Sequence, residues 1–386
     1  MVITWAKIHL AYWNISFNKL ITQRMSSYIH ILPAQHGDAI IIHCTREENN
    51  GVVVVDGGPS SNIRLNPFLS EIEKLNHIDL MVLTHHDDDH IKGILHYIKR
   101  HKDDNPFPVT EIWANCAKNI TIAETPELTA FQAKSLSEYL ENICNGTDMR
   151  WRSDICSDMP IIETPFCSIE VIGPTRNTYA NFMTAYAEKI DIECEISEIA
   201  AKDNSDKGID CHELACRTKE TPNPDKYDVL TNMASISVIL KCDGLSVLLL
   251  GDSFPQEIAA TLISKGYSIE NKLKVDYIKI AHHGSRNNTS NELLDLIDCD
   301  NYIFLTNGGL GKARHPQRET LANILCHAER DMSRTVHFYF NYPIATIQRY
   351  GNVLFNEELD KDLNYCIHEP NSKDISNPGY RLPAYE

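Results

Sequence analysis

The segment Thr84-His85-His86-Asp87-Asp88-Asp89-His90-Ile91-Lys92-Gly93 decides how this chain is read, and it follows the apolar run Leu80-Met81-Val82-Leu83 without a break. Packed together without a cation, its three carboxylates would repel one another and raise each other's pKa. A divalent metal reverses that cost, because imidazole and carboxylate are natural ligands for it. The bland alternative is a solvated acidic loop with incidental histidines. Placement directly after a hydrophobic strand argues for metal.

Working outward, residues 28–32 and 39–44 read as strands around the polar turn Gln35-His36-Gly37-Asp38. A buried strand over 52–56 ends in Gly57-Gly58-Pro59, and Asn66-Pro67 opens a helix reaching about residue 75. Residues 91–100 read as a helix, as does a stretch near 127–143, and 168–172 is a strand ending at Gly173-Pro174. Alternation resumes with strands over 235–242 and 245–250 and a helix from Pro255. A strand over 277–281, a helix near 293–297, a strand over 302–306 and a helix from Gln317 come next. Residues 336–340, 345–349 and 353–355 read as β. Buried strands alternating with amphipathic helices give an α/β fold. Residues 176–230 break the rhythm: they are acidic, poor in long apolar runs, and read as an insertion or lid. The expected organisation is an extension over 1–24, poorly ordered, one domain over 25–360 carrying that insertion, and a tail over 361–386.

Composition narrows the function classes. The chain has 386 residues, 42% hydrophobic and 23% charged, ample for a folded core. A net charge of -17 excludes a generic basic nucleic-acid binder, so an anionic substrate must be held by local cations or by metal. The 12 cysteines are scattered, some of them inside apolar runs, which fits reduced thiols in a cytoplasm better than a disulfide framework. No run approaches the ~20 apolar residues that span a bilayer, so no membrane partner is expected. The first residues lack a basic n-region and a small-residue cleavage site.

The spacing His85-x-Asp87-x-Asp89-His90 resembles the metal signature of the metallo-β-lactamase superfamily. Asp at position 87, where the superfamily usually has His, resembles the variant of the ComEC competence-protein nuclease domain and its soluble relatives. Further segments fall in the order this resemblance demands: Gln35-His36-Gly37-Asp38-Ala39-Ile40, Val55-Asp56-Gly57-Gly58, Gly251-Asp252, Ile280-Ala281-His282-His283-Gly284-Ser285, then Asn307-Gly308 and His315-Pro316. It implies an αββα sandwich holding two divalent ions, Zn²⁺ or Mn²⁺, with His85, Asp87, Asp89, His90, Asp252 and His283 as ligands. Asp252 bridges the ions, Asp89, His282 and His315 serve catalysis, and Ser285, Arg286 and Asn307 contact substrate. Asp56 is expected to support the His85 loop, and Lys279, Lys312 and Arg314 are further candidate phosphate clamps. Cys211-His212-x-x-x-Cys216 lacks a second half for a zinc site.

The implied activity is metal-dependent phosphodiester cleavage, most plausibly of DNA. Two alternatives stand beside it. One is hydrolysis of another small ester, in the manner of phosphorylcholine esterases or lactonases. The other is a partner-activated component of a multi-protein system, docked through the acidic insertion.

Overall fold

The structure is a computed structural model and describes residues 27–62, 64–116, 128–190, 208–217, 223, 226–309, 314–349, 351, 353–356, 360–370 and 379–382. In chain order the strands are β1 (Tyr28–Ile31), β2 (Ile40–Arg46), β3 (Asn49–Val55), β4 (Ile78–Leu83), β5 (Val109–Ala114) and β6 (Arg150–Arg152). Then come β7 (Ile162–Glu163), β8 (Ser168–Gly173), β9 (Ser237–Cys242), β10 (Leu245–Leu249), β11 (Leu273–Lys274) and β12 (Tyr277–Lys279). The last are β13 (Ile297–Asp298), β14 (Asn301–Phe304), β15 (Val336–Phe340), β16 (Tyr365–His368) and β17 (Tyr380–Leu382). Among the described residues they form one sheet in the order β17-β1-β2-β3-β4-β5-β6 and a second in the order β16-β15-β14-β12-β10-β9-β8-β7. A small pair, β11-β13, stands apart.

The alternating side chains of each strand explain why these sheets stack. Along β3, Val53 and Val55 enter the core between the sheets, where they join Val238, Leu240, Val247 and Leu249. Val54 points the other way, into a core built with the helices Phe68–Ile72, Asp88–His101 and Leu128–Gly146. On the far side, Ile239, Leu248, Ile278 and Phe338 pack against the helices Pro255–Ser264 and Arg318–Leu325. Each sheet is thus buried on both faces, and the fold is the αββα sandwich.

Several expectations need correction. Residues 345–349 are not a strand: Pro343 starts the short helix Ile344–Ile347, and a strand-like apolar alternation this brief does not separate the two periods. Residues 353–355 carry no regular structure, and the helix expected near 293–297 is Asn291–Leu294 followed by β13. The tail is not a simple appendage, since β16 pairs parallel with β15 and β17 pairs antiparallel with β1. The described parts of 176–230 are the helices Arg176–Ile190, Cys211–Ala215 and Tyr227–Met233. Phe182, Tyr186 and Leu230 belong to one helix-side core, and Cys211 and Leu214 to the other. Residues 191–207, at the centre of that acidic stretch, lie outside the described residues, as does the extension over 1–24.

Two backbone hydrogen bonds hold the motif helix Asp88–His101 to the end of β3. Gly57 N–H donates to His90 O at 2.9 Å and Gly93 N–H to Gly58 O at 3.2 Å. A Cβ on Gly93 would sit 1.9 Å from Gly57 O, and one on Gly57 would sit 2.4 Å from Ile94 N. Neither backbone can yield without moving the motif. Gly93→Ala should therefore cost about 1–3 kcal/mol in denaturant unfolding. Gly146→Ala, whose Cβ would meet nothing within 4 Å, should stay within about 0.5 kcal/mol of the parent.

Candidate metal centre

The site forms where β3, β4, β10 and β12 end. Asp56, just past β3, has φ 55 and no exposed surface. Its carboxylate accepts the Thr84 N–H and the Thr84 hydroxyl, each at 2.8 Å. It also accepts His90 Nδ1–H at 2.8 Å. One buried carboxylate thereby joins the end of β4 to the first turn of the motif helix, which starts at Asp88, three residues before the expected position. Asp56 thus holds the His85 loop at Thr84, whose hydroxyl lies 3.1 Å from His85 Nδ1, and holds His90 directly.

His85, His90 and His283 are each held by one ring nitrogen and aimed with the other. His85 Nδ1 lies 3.1 Å from the Thr84 hydroxyl and 3.3 Å from the Ser235 hydroxyl. His283 Nδ1 donates to Leu305 O at 3.0 Å. The Nε2 atoms then converge on Asp252. His90 Nε2 is 3.5 Å from Asp252 Oδ1. His85, His282 and His283 place Nε2 3.9, 3.7 and 3.8 Å from Asp252 Oδ2. Asp252 is fixed in turn, its N–H donating to the Ser235 hydroxyl at 3.1 Å and its carbonyl accepting from Asn288 Nδ2 at 3.1 Å. Fixing a ligand ring through its second nitrogen is the ordinary arrangement around a bound metal.

The loop carrying His282 and His283 is strained. Both take left-handed backbone angles, φ 48 and φ 52, at a cost on the order of 1–3 kcal/mol each. Surrounding bonds over-determine it: His282 N–H donates to Gly251 O at 3.0 Å, and the Thr320 hydroxyl donates to Gly284 O at 2.7 Å. Strain retained in this way directs both imidazoles to one point.

Two overlapping sets of three donors, His85, His90 and Asp252, and Asp89, His90 and His283, each have their ligand atoms within 4.8 Å of one another and share His90, whose one free nitrogen serves a single ion. Buried His85 Nε2, His90 Nε2 and Asp252 Oδ1 have no hydrogen-bond partner among the described residues, which is costly unless something else satisfies them. Charge tells the same story. Asp38 and Asp252 lie against the buried cation Lys279, and Asp56, Asp87 and Asp89 against the imidazoles of His90, His85 and His283, so five carboxylates share one lysine. Four negative charges are left over, the charge that two divalent ions cancel. Burial alone would discharge the His90 and His283 imidazoles, yet Asp252 and its neighbouring carboxylates outweigh it, raising His90 and pushing His283 up to about 10. Burial likewise opposes the Asp252 carboxylate, but His90, His282 and His283 hold it well below its usual range. Without metal the imidazolium protons stand where cations would. The donor set fits two divalent ions.

The remaining expected residues divide. Asp87 Oδ2 lies 3.7 Å from His85 Nε2 at the half-exposed rim, and Asp89 Oδ2 lies 3.1 Å from His283 Nε2. His315 packs its ring 5.2 Å from His282, with its Nδ1 buried and unpartnered. Arg286 is partly exposed, 3.7 Å from Glu319, and its N–H donates to Gln317 Oε1. Ser285 is buried, and its hydroxyl accepts from Asn287 N–H. Asn307 is a loop tether: its N–H donates to Gln35 O at 2.7 Å and its Oδ1 accepts from Gly309 N–H at 3.0 Å. Lys279 is a correction. It is buried, paired with Asp38 and donating to Gly251 O, so no phosphate can reach it. Lys312 lies outside the described residues. Cys211 is committed elsewhere, against Asp360 and Arg318.

Sequence reading missed three positions. Asp38 stood in a quoted turn, but its role beneath His283, 3.1 Å from Nδ1, needs the fold. Ser235 is an unremarkable serine before β9. His86, inside the motif, points away from the cluster into Phe182, Tyr186 and Tyr227, with its Nε2 2.9 Å from the Tyr227 hydroxyl. Burial lowers it to about 4. It docks the helices Arg176–Ile190 and Tyr227–Met233 onto the motif.

No family model and no curated protein matches the chain. Solved structures do match. The metallo-β-lactamase fold protein YhfI from Bacillus subtilis is 9% identical, with 92% of this chain and 98% of that one covered and a TM-score of 0.34. Zn²⁺-bound PqqB from Methylobacterium extorquens is 9% identical, with 92% and 99% covered and a TM-score of 0.40. CmlA, a diiron β-hydroxylase from Streptomyces venezuelae, is 10% identical, with 89% and 52% covered and a TM-score of 0.35. The chain spans about half the length of the hydroxylase chains it matches, 46% and 52%.

Two measurements check the centre. Zn²⁺ or Mn²⁺ at about a hundred times its Kd should stabilise the metal-stripped protein by about 2.7 kcal/mol per site, with the gain much reduced in His85→Ala. Asp56→Ala removes the acceptor of three buried donors and should cost about 3–5 kcal/mol with or without metal.

Proposed function

We propose that this chain is a metal-dependent hydrolase that cleaves phosphodiester bonds, with DNA as its substrate class. The observation that carries the hydrolase reading is the convergence of two mixed His/carboxylate donor sets on Asp252, their inner atoms buried and unpartnered. Mixed nitrogen and oxygen sets of this kind suit Zn²⁺ and Mn²⁺. The DNA assignment rests on the resemblance of His85-x-Asp87-x-Asp89-His90 to the competence-protein nuclease signature.

His85, Asp87 and Asp252 would hold one ion and Asp89, His90, Asp252 and His283 the other. When bound, such a pair supplies Lewis acidity and a nucleophile at neutral pH. The chain's own residues do the rest. Asp56, Ser235 and Leu305 O fix the ligand rings, so that no reorganisation is needed during reaction. His282 and His315 stand side by side with their rings 5.2 Å apart and partly exposed, and the exposed ring edges would hydrogen-bond a non-bridging phosphate oxygen or the leaving oxygen. Arg286, at the end of that loop, would hold a flanking phosphate.

A second reading has its own support. With Lys279 consumed by Asp38 and a net charge of -17, there is little positive surface to track a long polyanion, which favours a small anionic ester.

The test is cleavage of labelled DNA, RNA and a small phosphodiester, with Mn²⁺ and Zn²⁺ added separately. The proposal expects DNA turnover that falls at least about a hundredfold in Asp89→Asn combined with Asp252→Asn, with unchanged circular dichroism. Turnover confined to the small ester would move the substrate class. Undiminished turnover in the double variant would end the two-metal reading.

A further inference from the structure

A second group of metal-ligating side chains lies at the edge of the second sheet, outside the centre described above. His337, Cys366 and His368 each offer one ligand atom within 4.8 Å of the other two. Strand register produces the grouping. The parallel pairing of β15 and β16 sets His337 opposite Cys366 and Tyr339 opposite His368. Alternation then puts these four residues on one face, while Val336 and Phe338 turn into the helix-side core.

The geometry within the group is tight. His337 Nδ1 and His368 Nε2 are 2.9 Å apart. Tyr339 stacks on the His368 ring at 4.4 Å and 11°, which fixes its plane. Cys366 is an exposed free thiol on the edge strand.

We propose that His337, Cys366 and His368 form a separate mononuclear site for zinc or another borderline-soft divalent ion, with water completing a tetrahedral shell. Binding through His337 Nδ1 and His368 Nε2 leaves each ring proton on its other nitrogen. The Cys366 thiol gives its proton to solvent and binds as thiolate. A thiolate with two imidazoles selects zinc over Mg²⁺ or Mn²⁺, in contrast to the main centre, whose donors are imidazoles and carboxylates. The ion would bridge β15 to the edge strand β16, making the site a staple for the C-terminal end of the sheet.

Cobalt separates this site from the main centre, whose donor sets contain no cysteine. The full chain, kept reduced, is titrated with Co²⁺ and followed in the near ultraviolet. The proposal expects a thiolate-to-cobalt charge-transfer band saturating at one ion per chain. It should disappear in Cys366→Ser and His368→Ala, both with unchanged far-ultraviolet circular dichroism. In His85→Ala, which disables the main centre, the band should remain. Zinc content should fall by one per chain in Cys366→Ser, whatever the main centre holds. Absence of the band in the parent chain, or its survival in Cys366→Ser, would overturn the site.

Discussion

Asp56 is fully buried in a left-handed backbone turn and accepts three hydrogen bonds, two from Thr84 and one from His90. Through them it fixes where β4 ends, where the motif helix begins and which nitrogen of His90 is free. The close approach of Gly57 to Gly93 locks the same junction through the backbone. A buried carboxylate is tolerable only when it is fully bonded, so the site's geometry and the local fold rest on the same few bonds. Loss of metal should therefore disable the chemistry before it disturbs this frame.

Around that junction the sandwich concentrates charge in a way no purely structural site would. Asp252 sits among four imidazoles and the Lys279–Asp38 pair. Taken alone, the excess of carboxylate would destabilise the fold, and the His90 and His283 imidazoles, raised by those carboxylates, offset it by binding protons. Divalent ions would do so while satisfying the unpartnered atoms. Lys279 shows the economy of the arrangement. It neutralises Asp38 beneath His283 and lies too deep to meet substrate.

Much of this was legible in the sequence, for a physical reason. Residues 84–93 are contiguous, and Asp252 and His283 each follow a short apolar strand, so their approach to one point follows from the way strand ends gather at one edge of a sheet. The tertiary members were not legible. Lys279 reads as a surface cation, and only the pairing of β12 with β10 buries it. Ser235 carries no signature of its own. Average acidity over 176–230 hid Phe182 and Tyr186, which anchor a helix in the core. The edge strands β16 and β17 are short and polar, with Cys366 and His368 separated from His337 by about thirty residues, so only strand pairing reveals their cluster.

The central claim is that Asp252 lies between two divalent ions. Anomalous diffraction from crystals grown with Mn²⁺ or Zn²⁺ tests it directly. The account predicts two peaks about 3.5–4 Å apart, one bonded to His85 Nε2, the other to Asp89 and His283 Nε2, with Asp252 touching both at about 2.0–2.2 Å. A single peak, or Asp252 more than about 5 Å from either ion, well beyond any such bond, would contradict it.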